Sequence, residues 1–357
     1  MNTQPPTSRP SLPQTPPDYH GALDYAELAR WGYAPEDVID FSVNSNPFGT
    51  HPAVREAIIH APFDRYPDKE CFALRERLAT HHAIDANQII VGNGTAEIIW
   101  QLAFAFLEAG DRVGVVTPTF GEYARNARLM GARVENLDAY PLPIARYPLF
   151  KMIFLCHPNN PTGALRDLEA VSAAADAAPE TIFVIDEAYL NFVGAASSIG
   201  LFRPNIITLR SMTKDYALAG LRLGYAVAHS AVIDILKRVR VPWNVSEVAQ
   251  VAGVAALAQH VDYTAQWASL NQNAQALKAA LSALGFPPDP SPMHYFLLDV
   301  VGKAGCFATG AAFRETMLRH GLIVRNCESF GLPNKVRIAT LTPRENARLL
   351  DAVRRVG

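Results

Sequence analysis

One lysine in the chain has neighbours that suit covalent chemistry. Lys214 lies in the stretch LRSMTKDYALAGLRLGY, directly after an apolar run typical of a buried strand and eight residues before Arg222. The sequence holds only seven lysines against twenty-five arginines, so a lysine at this place is distinctive. Taken alone, it fits either a solvated surface cation or an amine whose lowered pKa lets it condense with an aldehyde.

A glycine-rich turn, VGNGTAEIIW, connects a short β-branched run with a helical stretch. The free backbone N–H groups of Gly94 and Thr95, where that helix begins, could hold a phosphate group. A turn that only reverses the chain is the alternative. Because the turn matches neither GxGxxG nor a Walker A loop, a nucleotide-binding module is only weakly indicated.

Three further strand ends carry polar or aromatic side chains. Phe120 and Tyr123, in TPTFGEY, suit stacking on a flat ring, although an aromatic residue at a strand end also fits the core. Asn160, in HPNNPTG, could donate to a ligand oxygen or form an Asx-turn. Asp186, in VIDEAY, is followed by Tyr189, and a buried carboxylate needs a partner such as an arginine or a protonated ring nitrogen. Ligands of open α/β sheets bind beyond the carboxyl ends of the strands, so we expect these side chains to share one site.

Together these residue types meet the needs of one cofactor. A phosphate cradle, a stacking ring, an amide and a phenol for a ring oxygen, a carboxylate for a pyridinium and a condensing lysine are what pyridoxal phosphate requires. In this order, the motifs resemble the fold-type I pyridoxal-phosphate enzymes of the class I and II aminotransferase superfamily. The similarity runs from about His20 to the C-terminus. It is greatest to the branch that contains histidinol-phosphate aminotransferase and threonine-phosphate decarboxylase.

The resemblance implies a role for each matched residue. Lys214 condenses with the cofactor aldehyde and later moves the proton, Asp186 pairs with the pyridine nitrogen, and Phe120 stacks on the ring. The phenolic oxygen of the cofactor is contacted by Asn160 and Tyr189. The cofactor phosphate is held by Gly94, Thr95, Ser211, Arg222 and Tyr66. In this family the tyrosine matched by Tyr66 reaches across from a second subunit, so the resemblance implies a homodimer.

Four further positions match residues that this branch uses near the substrate. Arg325, in IVRNC, and Arg337, in KVRIAT, suit a bidentate grip on carboxylate or phosphate, although each also fits an exposed ion pair. His20 and Asn44 match positions that the decarboxylases use near the substrate phosphate. We therefore expect a small phosphorylated amino acid or amine as the substrate.

Finer resemblance favours one reaction over another. The segments APEDVIDFSVNSNPFG, RYPD, LRSMTK, GLRLGY and VPWNVS are similar to those of the decarboxylases, and Trp243 stands where the aminotransferases usually have a smaller aromatic residue. Two features depart from the decarboxylases: their HGGN is HGAL here, and the stretch YPLPIARYPLFK is short. We expect decarboxylation of L-threonine O-3-phosphate to (R)-1-aminopropan-2-yl phosphate, a step of cobalamin biosynthesis. Histidinol-phosphate transamination with glutamate and 2-oxoglutarate is the alternative.

Composition argues against other classes of function. A net charge of −2 provides no broad basic field for nucleic acid or an anionic membrane, and no run of eighteen apolar residues is present to span one. The four cysteines are widely spaced without a CxxC pair, so we expect no metal site, no disulfide framework and a cytoplasmic setting. A non-catalytic regulator that senses the cofactor would need a DNA-binding domain, which the eighteen proline-rich first residues cannot form.

The pattern of the elements that must position these residues is α/β. From about residue 52 to 250, helical stretches alternate with near-continuous apolar runs, which predicts a mostly parallel sheet covered by helices. The predicted strands are QIIVGNG, DRVGVVTP, FKMIFLCHP, TIFVIDEAY, NIITLRS and RLGYAVAH. We expect a disordered tail over residues 1–18, a large cofactor-binding domain over 45–250 and a smaller α+β domain formed by 19–44 and 251–357.

Overall fold

The computed structural model describes residues 12, 15, 21–301 and 307–356. Most of the tail predicted over residues 1–18 lies outside the described residues, as does His20. The α-helices in these ranges are α1 Tyr25–Trp31, α2 Pro52–Ile59, α3 Phe72–His82, α4 Thr95–Phe106, α5 Glu122–Leu129, α6 Leu168–Ala177, α7 Ser230–Val239, α8 Glu247–Ala258, α9 His260–Ala283, α10 Gly310–Arg319 and α11 Pro343–Val356. The strands are β1 Ile39–Asp40, β2 Ile89–Gly92, β3 Arg112–Val116, β4 Arg133–Leu137, β5 Met152–Cys156, β6 Ile182–Asp186, β7 Ile206–Ser211, β8 Gly224–Val227, β9 Tyr295–Asp299, β10 Leu322–Ile323, β11 Arg325–Asn326 and β12 Lys335–Ala339.

Seven of these strands form a large sheet in the order β2-β8-β7-β6-β5-β3-β4. Strands β3 to β7 run parallel to one another, and β8 is antiparallel to both of its neighbours, β7 and β2. Neighbouring residues of β2 belong to cores on opposite faces, Ile89 and Val91 to one and Ile90 to the other. Because helices cover both faces, the central strands are apolar along nearly their whole length. The predicted α/β fold with a mostly parallel sheet is confirmed.

The register of the sheet brings the chemically interesting strand ends to one edge. Cys156, the last residue of β5, pairs with Asp186, the last residue of β6. Gly224, the first residue of β8, pairs with Gly92 on one side and with Ser211 on the other. The glycine-rich turn after β2, the carboxylate at the end of β6 and the lysine loop after β7 therefore meet along this edge.

A smaller sheet of order β11-β12-β9 lies beside the large one and has its own apolar core. The short strands β1 and β10 pair in parallel, which joins the segment near residue 40 to this part of the chain. Helix α9 contributes to both cores: Tyr263 and Trp267 pack in the core of the large sheet, and Leu277 and Leu281 pack in that of the small sheet. The domain boundaries at residues 44/45 and 250/251 stay a prediction.

One strand at the edge of the large sheet was not indicated by the sequence pattern. Strand β4 was not predicted, because RVENL alternates charged and apolar residues and only Leu137 is buried at this edge of the sheet.

None of the helices in the described ranges has both the length and the apolar character that crossing a bilayer requires.

Candidate active site

The carboxyl edge of the large sheet opens into an inner cavity. Eight of the ten residues predicted to contact the cofactor line it. The lining consists of Thr95, Ala96, Phe120, Tyr123, Cys156, Asn160, Asp186, Ala188, Tyr189, Ser211, Thr213, Lys214 and Arg222. Gly94 directly precedes Thr95, at the same turn. Tyr66 is the one predicted cofactor residue that the structure does not bring to this cavity.

Asp186 lines the inner cavity and is almost fully buried. Its Oδ2 accepts a hydrogen bond from the phenol of Tyr123 at 2.7 Å, and its Oδ1 accepts one from the N–H of Ala188 at 3.0 Å. Burial raises the pKa of the carboxyl to about 6, and the two hydrogen bonds act against that rise. The structure thus provides a buried, hydrogen-bonded carboxylate that a cationic ligand group would stabilise.

Lys214 faces the same cavity from the loop after β7. The pKa of its amine is lowered to about 8, chiefly by burial and also by the charges of Arg222 and Arg337. The carboxylates of Asp186 and Asp40 act in the opposite direction. A larger fraction of this amine is therefore neutral at pH 7 than for a surface lysine, which is the state required of a nucleophile.

Two glycines allow a close approach of donor groups beside the inner cavity. A Cβ atom on Gly94 would lie 2.8 Å from Nη2 of Arg222, and one on Gly224 would lie 2.7 Å from the backbone nitrogen of Thr95. A side chain on Gly94 would therefore displace the guanidinium, and one on Gly224 would push the start of α4 away from strand β7. Backbone N–H groups at a helix start together with an arginine are a suitable cradle for a phosphate.

Arg337 connects the small sheet with the inner cavity. Its Nη1 donates to Oδ1 of Asn160, and its Nη2 donates to the carbonyl of Ser42 at 2.5 Å. Both acceptors are neutral, and its Nε is buried without a hydrogen-bond partner among the described residues. The guanidinium therefore retains the capacity to bind an anion. Neighbouring Tyr189 is also buried, and burial raises the pKa of its phenol to about 12.

An outer cavity adjoins the inner one and holds the predicted substrate residues Asn44, Arg325 and Arg337. The two cavities share Ala96, Phe120, Asn160, Tyr189, Lys214 and Arg222. Arg325 and Arg337 lie opposite each other on strands β11 and β12. The amide of Asn44 is buried beside the phenol of Tyr189, and neither of its polar atoms makes a hydrogen bond of ordinary geometry within the described ranges. Such an amide is available to a ligand.

Tyr66 lies on the surface, where 78% of the residue is exposed. Its ring stacks on Trp243 with centroids 4.6 Å apart. Within one chain it therefore cannot contribute to the inner cavity. His20, the other predicted residue not placed here, lies outside the described residues.

Sequence reasoning missed two groups of the site. Tyr123 was considered only as a stacking ring, yet its phenol binds Asp186. Asp40 was not considered at all, yet it lines the outer cavity. Neither has a local signal, because the contact of Tyr123 spans 63 positions and Asp40 reaches the cavity through the pairing of β1 with β10.

Comparison with known proteins assigns a family to this site. The family model described as aminotransferase class I and II matches residues 36–353. The chain belongs to this family. The predicted membership of the fold-type I pyridoxal-phosphate enzymes is thereby confirmed, and pyridoxal 5′-phosphate is the cofactor of this aminotransferase family.

Similar proteins of known name align with this chain over most of its length. Histidinol-phosphate aminotransferase of Moorella thermoacetica is 33% identical over 338 residues, 90% of this chain and 86% of the relative. A crystal structure of histidinol-phosphate aminotransferase from Sinorhizobium meliloti, in complex with pyridoxal 5′-phosphate, has a TM-score of 0.87 at 24% identity and covers 99% of this chain and 98% of that one. The crystal structure of L-threonine-O-3-phosphate decarboxylase from Porphyromonas gingivalis has a TM-score of 0.79 at 25% identity. That match covers 88% of this chain and 98% of the decarboxylase chain.

Proposed function

We propose that this protein is an aminotransferase of the histidinol-phosphate type, which exchanges an amino group between glutamate and the keto partner of histidinol phosphate. The observation that carries the proposal is a relative of that name at 33% identity over 90% of the chain. Decarboxylation of threonine phosphate, the reaction preferred from the sequence, has weaker support. The site supplies what both reactions need, namely a lysine and a carboxylate in one cavity with arginines at its mouth.

The residues of the inner cavity fit the cofactor by their chemistry. When bound, pyridoxal 5′-phosphate withdraws electrons from the substrate carbon that carries the amino group. In our proposal Lys214 is the amine that holds the cofactor and moves the proton, and the ionised carboxylate of Asp186 favours a protonated ring nitrogen. The glycine-bounded cradle, with Gly94, Thr95, Ser211 and Arg222, holds the phosphate.

Three further side chains that line the inner cavity orient the ring in this proposal. Phe120 offers a flat face for stacking. Asn160 and Tyr189 contribute an amide and a phenol for the phenolic oxygen. Because Arg337 donates to Oδ1 of Asn160, the amide nitrogen of that asparagine is directed away from the guanidinium and is free to donate to a ligand.

The outer cavity binds the small phosphorylated substrate. Arg325 and Arg337 grip its anionic groups, because each guanidinium can form two parallel hydrogen bonds with a carboxylate or phosphate. Asn44 adds a buried amide that makes no hydrogen bond of ordinary geometry to the described residues. We keep His20 as a proposed contact of the substrate phosphate on the resemblance alone.

Assembly and location are also proposals. Tyr66 and Trp243 form an exposed aromatic pair, and we propose that a homodimer brings Tyr66 to the cofactor phosphate of the partner subunit. A cytoplasmic location fits the biosynthetic reaction. The division into a large domain over 45–250 and a small domain over 19–44 and 251–357 fits the separation of the seven-stranded sheet from the two smaller sheets.

Threonine-phosphate decarboxylation remains the second candidate. It is favoured by the decarboxylase fold match over 88% of this chain and by the similarity of the segment APEDVIDFSVNSNPFG to the decarboxylases. Both candidates use a phosphorylated substrate, so the same arginines serve either one. They differ in which bond to the substrate carbon breaks.

Paired assays of the purified, cofactor-loaded protein decide between the two. One assay follows glutamate formed from histidinol phosphate and 2-oxoglutarate, and the other follows carbon dioxide released from L-threonine O-3-phosphate. We expect glutamate without carbon dioxide, and Lys214→Ala should abolish both the reaction and the visible absorbance of the bound cofactor. Carbon dioxide without glutamate would replace the proposal by the decarboxylase, and absence of both products would reject both.

A further inference from the structure

Three residues that line the inner cavity are each adjacent in sequence to a buried residue that does not line it. The neighbours carry charged groups, and none of them is more than 5% exposed. The pairs, with the cavity residue first, are Asp186 and Glu187, Ser211 and Arg210, and Lys214 and Asp215. A polar layer therefore lies directly behind the residues that face the cofactor.

Asn191 joins these neighbours into one hydrogen-bonded chain. Arg210 donates through Nη1 to Oε2 of Glu187 at 3.1 Å and through Nη2 to Oδ1 of Asn191. The amide nitrogen of Asn191 donates to Oδ2 of Asp215 at 2.7 Å. A guanidinium can only donate, so the orientation of the amide is fixed. We call Glu187, Arg210, Asn191 and Asp215 the polar chain.

Both ends of the polar chain are anchored to the surrounding protein. Glu187 accepts hydrogen bonds from the hydroxyl of Ser197 and the N–H of Ser198, both at 2.6 Å. The carbonyl of Asp215 accepts one from the indole of Trp267 at 2.9 Å. The polar chain is therefore held in place, and neither of its ends can move without breaking buried hydrogen bonds.

We propose that the polar chain positions Lys214 relative to Asp186. One end of the chain is the residue after Asp186, and the other end is the residue after Lys214. Separating buried charged partners is unfavourable, so the spacing of the two ends is held. The members of the chain are positioning residues, because they act through their neighbours without lining the cavity. The inference rests on the proposed cofactor contacts of Lys214 and Asp186, and it holds for either reaction.

The test compares one substitution at two asparagines. Asn191→Ala removes the bridge of the polar chain. Asn205→Ala is the matched control: the amide of Asn205 donates to the carbonyls of Ala175, Ala178 and Thr181, at the end of β7 remote from the cavity. Cofactor-free protein is titrated with pyridoxal 5′-phosphate, and the thermal midpoint is measured with and without it. A purely structural role lowers the midpoint of both variants and leaves the affinity for the cofactor unchanged.

We expect both variants to unfold at lower temperature and only Asn191→Ala to bind the cofactor about tenfold more weakly. Equal affinity of the two variants, within about twofold, would overturn the inference. If Asn191→Ala does not fold, Asp215→Ala decides by the same affinity criterion, with Asp215→Asn as the conservative variant that restores binding. Failure of the proposed cofactor contacts is recognised separately, because Lys214→Ala would then keep the visible absorbance of the bound cofactor.

Discussion

Tyr123 and Asp186 lie 63 positions apart in the sequence and share a hydrogen bond of 2.7 Å, in which the phenol donates to Oδ2. Burial keeps the pKa of Tyr123 well above that of a free phenol, so the proton stays on the tyrosine. The donated hydrogen bond lowers the pKa of Asp186, which burial alone would raise further above its value of about 6. At pH 7 the carboxylate is therefore mostly ionised, which is the form that pairs with a protonated ring nitrogen.

Tyr123→Phe should shift the acid side of the pH profile. Without the donated hydrogen bond the pKa of Asp186 rises, so less of the carboxylate is ionised at pH 7 and the acid limb of kcat moves to higher pH. We expect kcat to fall about tenfold at pH 7, corresponding to ~1.4 kcal/mol, and less at pH 8. Tyr147→Phe is the control, because Tyr147 is a buried tyrosine whose hydroxyl accepts a hydrogen bond from Leu142 in a different core. Superimposable acid limbs of Tyr123→Phe and the wild type would contradict the prediction.

Gly94→Ala should weaken cofactor binding for a steric reason. The added Cβ would lie 2.8 Å from Nη2 of Arg222, in the cradle proposed for the phosphate. Gly94 also has φ 77° and ψ 164°, a region nearly restricted to glycine, in which alanine is strained by roughly 1–3 kcal/mol. Gly32→Ala is a control for positive φ without a clash, since Gly32 has φ 76° and ψ 22°, in the left-handed region, and nothing lies within 4 Å of the added atom. We expect both variants to lose stability and only Gly94→Ala to show a raised Kd for pyridoxal 5′-phosphate in a titration. Equal Kd values for the two variants would show that the turn at Gly94 does not bind the cofactor phosphate.

The fold could be predicted as far as local patterns determine it. Runs such as MIFLC and IFVID indicate buried strands, because helices cover the sheet on both faces. The antiparallel direction of β8 was not predicted. It agrees with the connection before it, because the segment between Ser211 and Gly224 contains no α-helix that could serve as a parallel crossover. The edge strand β4 was missed because a partly solvated strand tolerates charged residues.

The site could be predicted where one residue type at a strand end implies its chemistry. Lys214, Asp186 and the turn that leads into Thr95 are of this kind, and Lys214, Asp186 and Thr95 line one cavity. Contacts between remote segments could not be predicted, because no local pattern records them. The hydrogen bond from Arg337 to Asn160 spans 177 positions.

Lys214→Met should change how stability depends on pH in the cofactor-free protein. Burial depresses the pKa of Lys214 from 10.5 to about 8, so between these values the unfolded chain binds more protons at this residue than the folded chain. The lysine therefore makes the free energy of unfolding increase as the pH rises from 8 to 10.5. We expect the stability advantage of Lys214→Met over the wild type to shrink across this window, as measured by urea unfolding. A difference that stays constant from pH 8 to 10.5 would show that the amine titrates normally.

Asp40 places a negative charge in the cavity that also holds Arg222, Arg325 and Arg337. Its Oδ1 accepts the N–H of Ser42 at 2.7 Å, and its side chain lines the outer cavity together with Arg325 and Arg337. Burial raises the pKa of this carboxyl, and the charge of Arg337 lowers it. A carboxylate here opposes a bare anion and favours a ligand that also carries N–H donors.

Asp40→Asn should therefore affect two ligands in opposite directions. The asparagine oxygen can still accept the N–H of Ser42, so the substitution removes the charge and keeps the local backbone contact. We expect KM for histidinol phosphate, whose imidazole and amine carry N–H groups, to rise about fivefold, or ~1 kcal/mol. The inhibition constant of inorganic phosphate should fall, because repulsion of the anion is relieved. Steady-state kinetics with phosphate as a competitor measure both constants. If both fall by the same factor, Asp40 acts only through its field and does not contact the substrate.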